Sequence, residues 1–186
     1  MSPTPPPAEP FEPIYEWQED VEDLEGYTSG GYHPTHIGDL FNNRYRVVHK
    51  LGHGSYSTVW LAEDQKEKRH VALKILVADA TKNTRESRIL NLLAMGNQEH
   101  PGRRYVSSYL DEFEFDGPNG HHVCIVSEAA GSSVAQSKEA SITWKFPLDV
   151  ARAISAQVLL GLHYIHSCGI VHAGKSNFTR RKYRTD

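Results

Sequence analysis

Cysteine is scarce in this chain: Cys124 and Cys168 are the two in 186 residues, each set in an apolar run. So few thiols argue against a disulfide framework and read as buried free cysteines in a reducing compartment. Long hydrophobic runs are missing as well. Nothing approaches the roughly 20 apolar residues of a transmembrane helix. The opening "MSPTPPPAEPFEP" carries neither the basic start nor the apolar stretch of an export signal. The expected location is therefore cytoplasmic, nuclear or both. Charge of one sign is not in excess, since 20 Lys and Arg against 23 Asp and Glu leave a net −3. That balance gives no reason to expect a nucleic-acid or anionic-membrane partner for the chain as a whole. One further absence is local: no Asp or Glu stands between Asp149 and the terminal Asp186.

What is present is an ordinary globular composition, 39% apolar and 23% charged, behind a polar N-terminal arm. Residues 1–13 are proline-rich with little to bury, and residues 14–25 are acidic, so 1–25 are expected to be a disordered arm. Residues 26–43 lead in through the turn-rich "GYTSGGYHP". Strand patterns then follow closely: "RYRVVHKL" (44–51), "STVWLAED" (57–64) and "HVALKIL" (70–76). "NTRESRILNLLAMG" has helical spacing, with Glu86, Ile89, Leu90 and Leu93 on one stripe. "SYLDEFEF" and "HHVCIVSE" form a hairpin around "DGPNG". A long helix is predicted over 147–167, opened by Pro147, with Ile154, Val158, Leu162 and Ile165 along one side. The fold class is α+β: a five-stranded antiparallel sheet with one helix, followed by the first helices of a helical part.

Three features carry chemistry. In "LGHGSYSTVWL", Gly52 and Gly54 occupy a strand–turn–strand, where backbone N–H groups can approach phosphate oxygens with no Cβ in the way. Ser57 stands where a third glycine of the phosphate-binding pattern would be, so a plain structural turn is an equal reading. Lys74 lies opposite Val71, Leu73 and Ile75 in its strand, where a lysine either reaches solvent or meets an anion. Glu86, on an apolar stripe, calls for a partner, and Lys74 and Glu86 would satisfy each other.

Glycine-rich hairpin, "VALK", then a helix with an inward Glu: this order resembles the small lobe of a eukaryotic protein kinase. The lead-in "GGYHPTHIGDLFNNRY" (30–45), "HPGRRYV" (100–106), "DEFEFDGPNGHHVCIVSEAAGSSV" (111–134) and "FPLDVARAISAQVLLGLHYIHSCGIVH" (146–172) resemble the SR-protein kinases, serine/threonine kinases. The likeness covers about residues 26–172 and makes 44–172 a partial kinase domain. It implies ATP as cofactor, with Mg²⁺ in the family, and Ser in Arg/Ser-rich proteins as substrate. By position it implies that Leu51, Val59 and Ala72 enclose the adenine, while Gly52, Gly54 and Ser55 cover the phosphates. Lys74 would contact the α- and β-phosphates and pair with Glu86. Glu128 and Ala130 would offer backbone groups to the adenine edge, and Ser127 would be a small gatekeeper leaving space behind it.

The family also needs an acidic residue two positions after its catalytic-loop histidine and an Asn five beyond that. His172 matches the histidine, but Gly174 and Thr179 occupy the other two positions. Residues 173–186, with "RRKYR", read as an aberrant basic tail. The expectation is a C-terminally truncated, inactive, monomeric chain without its own Mg²⁺ ligands, and no metal site is assigned. The alternative is a non-catalytic nucleotide- or partner-binding module. Eleven histidines invite a metal site, but His121–His122 and His163–His166 have no accompanying cluster in the sequence.

Overall fold

β-branched and aromatic side chains at alternating positions build one antiparallel sheet. The computed structural model describes residues 21–83, 85–131 and 133–171. The strands are β1 Leu40–Phe41, β2 Tyr45–Gly54, β3 Ser57–Asp64, β4 Arg69–Leu76, β5 Tyr109–Gly117 and β6 Gly120–Glu128. Their order across the sheet is β1-β2-β3-β4-β6-β5. The five expected strands are joined by a sixth, a two-residue edge too short for periodicity to reveal. The helices are α1 Arg85–Met95, α2 Val134–Glu139 and α3 Leu148–Ser167. The chain divides into two units, Met1–Ser87 with Tyr109–Ala130, and Arg88–Ser108 with Gly131–Asp186.

In the sheet unit, one face collects Phe41, Tyr45, Val47, Trp60, Ala62, Val71, Leu73, Ile75, Cys124 and Val126 as core, with Phe113 and Phe115 packed on it. Tyr45 stacks on Phe113 with ring centroids 5.6 Å apart. At the margin, Arg44 grips Asp64 with two bonds, Nε to Oδ1 at 2.8 Å and Nη2 to Oδ2 at 2.7 Å. That guanidinium is the main reason the Asp64 carboxyl is held down at about 2. Burial pushes the Cys124 thiol upward, as expected of a structural cysteine. Both cysteines are free thiols.

Ordered contacts begin inside the arm expected over 1–25. Glu22 is 4% exposed; its carboxylate takes the Lys50 ammonium and the Tyr27 hydroxyl. An acidic composition reads as solvated, but one buried carboxylate with two donors is enough to dock the segment.

In the helical unit, α3 buries Gly161 and Tyr164; of the predicted stripe, Ile154, Leu162 and Ile165 are half-buried and Val158 is 55% exposed. The Tyr164 hydroxyl donates to the Leu93 carbonyl. A Cβ at Gly102 would stand 1.9 Å from the Leu160 carbonyl oxygen, so only glycine permits this approach. Hydrophobic periodicity cannot register a contact made by a missing side chain. The unexpected α2 begins with a capping box, Ser133 and Gln136 each bonding the other's backbone N–H. The signal was legible as "SVAQ".

Candidate functional site

The register of β3, β4 and β6 assembles the site on the sheet face opposite the core. Lys74 is paired across the ladder with Val59 on one side and Ile125 on the other. Ala72 is paired with Leu61 and Ser127. Directly paired residues share a face, so Val59, Ala72, Lys74 and Ser127 form one surface. Ala72 is 8% exposed and is the small residue at its middle.

Leu51 reaches its position through a β-bulge. Lys50 pairs with Trp60 and Gly52 with Val59, leaving Leu51 as the extra residue between them. Such a bulge bends the strand and re-aims the side chain. Leu51 is 44% exposed. Next along β2 come Gly52 and Gly54, and a Cβ built at either would meet nothing within 4 Å. Open space there is what a bulky anion beneath the hairpin requires. Ser55 and Tyr56 form the exposed turn. Ser57, in place of a third glycine, is 7% exposed and belongs to β3.

The Lys74 ammonium meets both oxygens of Glu86, at 2.6 and 2.8 Å. Their side chains are 33% and 43% exposed. An ion pair this open contributes at most about 1 kcal/mol to stability, so its main effect is to hold the ammonium in place. The cation stays reachable by a ligand, which a fully buried pair would not be. Glu128 and Ala130 lie exposed at and beyond the end of β6, beside the surface that Ala72 and Ser127 share. A cation held by Glu86 beside open glycines is an arrangement that can receive a phosphate-bearing ligand.

His172, Gly174 and Thr179 lie outside the described residues. Among the described residues no group of three or more His, Cys, Asp or Glu is placed to hold a metal ion. His121 does have neighbours that the linear sequence hides, Asp116 at 2.9 Å and Glu114 at 3.0 Å. Each ring nitrogen is engaged by one carboxylate, and these bonds, Asp116 first, raise the imidazole's pKa. No helix among the described residues is long and apolar enough to cross a membrane.

The protein kinase domain family matches residues 45–174. Over 156 residues the chain is 42% identical to the protein kinase dsk1 of Schizosaccharomyces pombe, covering 81% of this chain and 29% of that one. Against SRSF protein kinase 3 of Homo sapiens it is 41% identical over 159 residues, 83% of this chain and 28% of that one. Against the serine/threonine-protein kinase SRPK of Physarum polycephalum it is 38% identical over 154 residues, 81% and 36% respectively. The chain belongs to the SR-protein kinase family. The antiparallel sheet of this chain is the small lobe of a protein kinase, and the chain spans about a third or less of the length of these three relatives.

Proposed function

We propose that this chain is the nucleotide-holding portion of a longer serine/threonine kinase that phosphorylates Ser in Arg/Ser-rich proteins. The observation that carries the reading is the Lys74–Glu86 pair, fixed on one sheet face with Ala72 and Val59. ATP, when bound, supplies the transferable γ-phosphoryl group. Leu51, Val59 and Ala72 enclose its base, and backbone groups of Glu128 and Ala130 face the base edge. Gly52, Gly54 and Ser55 lie over the phosphates, where main-chain N–H groups can point at oxygen. Lys74 neutralises charge on the α- and β-phosphates, and Glu86 keeps its ammonium from swinging away. Ser127 leaves room behind the base.

A second reading applies to the chain as it stands, because Asp149 and Asp186 enclose a segment without a carboxylate. Gly174 cannot accept the substrate hydroxyl's proton, and Thr179 replaces the Asn that would help hold Mg²⁺. These 186 residues alone therefore bind nucleotide without transferring phosphate. Residues 44–172 are the kinase portion and 173–186 a tail without a catalytic role. Calorimetric titration with ADP, beside an assay of phosphate transfer from ATP to an Arg/Ser peptide, tests both readings. Expected are ADP binding that Lys74→Ala weakens about tenfold or more, and no transfer. Absence of ADP binding defeats the nucleotide site, and measurable transfer defeats the account of the missing carboxylates.

A further inference from the structure

The glycine-rich hairpin is fastened from outside the site. Tyr32, in the lead-in, is 8% exposed, and its hydroxyl donates to the Gly54 carbonyl at 2.9 Å. Burial pushes the Tyr32 pKa upward, with the Glu22 and Asp23 charges adding to it, so the hydroxyl remains a donor. The segment bearing Tyr32 is itself held at several points. Asn119 Nδ2 donates to the Tyr32 carbonyl at 2.6 Å, and the Gly30 amide donates to the Asn119 carbonyl at 2.7 Å. The Ala78 and Asp79 amides donate to Gly31 and Gly30 carbonyls at 3.1 and 2.9 Å. The ring is fitted closely, since a Cβ at Gly26 would stand 2.7 Å from it. A second bond reaches the hairpin turn, Val77 N–H to the Tyr56 carbonyl at 3.0 Å.

The hairpin tip is otherwise a poor candidate for order. Its glycines touch nothing with a Cβ, and His53 to Tyr56 are exposed. Glycine loses more conformational freedom on ordering than any other residue, so a tip that must meet phosphates in one arrangement needs an external hold. Tyr32 supplies a bond to the carbonyl of Gly54 itself while leaving the glycine's phosphate-facing space empty.

We propose that Tyr32 is a positioning residue for nucleotide phosphates, acting through Gly54 and never touching the ligand. This rests on the nucleotide-site reading above. Tyr32→Phe keeps the ring and its packing and removes the bond alone. The test compares the full chain with Tyr32→Phe in three measurements: ADP binding, adenosine binding and amide hydrogen exchange without ligand. ADP affinity should fall about fivefold, the ordering cost of a loosened tip, while adenosine affinity holds and the melting temperature drops by no more than one lost hydrogen bond explains. Exchange at residues 52–57 should quicken with β4 and β6 unchanged.

If the unsubstituted chain binds neither ligand, the nucleotide site fails and this inference falls with it. If the chain binds ADP more tightly than adenosine and Tyr32→Phe preserves their ratio, the inference alone is overturned. An equal loss for both ligands with a lowered melting temperature makes Tyr32 merely structural and also overturns it. Unchanged exchange at 52–57 counts against it in the same way.

Discussion

The sheet unit and the helical unit bury side chains by different means. The sheet closes a continuous layer in which Ala62, Val71, Leu73, Cys124 and Val126 are wholly inaccessible. Among its described residues, the helical unit is anchored on Tyr164, Leu93 and the close approach at Gly102, while Leu148, Val158 and Leu159 are 65%, 55% and 66% exposed. Interdigitated strands supply many mutually supporting contacts, whereas one ring seated against glycine supplies few. The sheet unit should therefore hold the stability, with α3 adding little beyond its own helical turns.

The sharpest way to break this contrast is a pair of truncations. Leu73→Ala should cost about 2–5 kcal/mol in urea unfolding, as large-to-small changes in sealed cores do. Leu159→Ala should stay within about 0.5 kcal/mol. Equal losses would show that the helical unit is as tightly packed as the sheet. A difference in pH response comes next. The burial that holds His33 down to about 4, helped by the neighbouring His122, makes it neutral when folded. Unfolded, it takes up a proton near 6.5, so its contribution is whole above that value and lost as pH falls toward 4. Asp64 acts lower: its contribution is present above about 3.8 and lost as pH falls through about 2. His121 has the opposite sign but is solvent-exposed and should add little. Unfolding followed from pH 7 to 4 should show a decline that His33→Phe, which keeps the ring's contacts with Phe41 and Phe115, largely abolishes. An unchanged slope would remove His33 from the account.

A single hydrogen bond tests the anchor. Tyr164→Phe loses the bond to the Leu93 carbonyl and should cost about 1 kcal/mol. Hydrogen exchange should locate the change in α3 and α1 rather than in β3 or β4. Spread into the strands would mean that the two units melt together.

Much of this was legible in the sequence. Strand-forming runs bounded by turn residues placed β2 to β6, with clear alternation in β4, and a carboxylate on an apolar stripe announced the need that Lys74 meets. What escaped reading was contact made by small or polar groups. The Leu51 bulge changes one pairing without disturbing the apolar pattern. Gly102 packs through absence, and Glu22 is buried because two donors await it, Tyr27 nearby and Lys50 28 positions on. Tyr32 looked like one more turn residue, since nothing local says that its hydroxyl reaches a carbonyl 22 positions on. The two-residue β1 is below the length at which alternation has meaning.

The register of β4 has a further consequence. Its core residues Val71, Leu73 and Ile75 alternate with Ala72 and Lys74, so a one-residue slip would drive a lysine into the apolar layer and turn three aliphatic side chains outward. Misassembly of the sheet and misplacement of the cation are therefore the same event. A population of molecules that has sealed its hydrophobic layer contains no silent fraction with the ammonium on the wrong side. Assays of folding on this chain are, to that extent, also assays of site integrity.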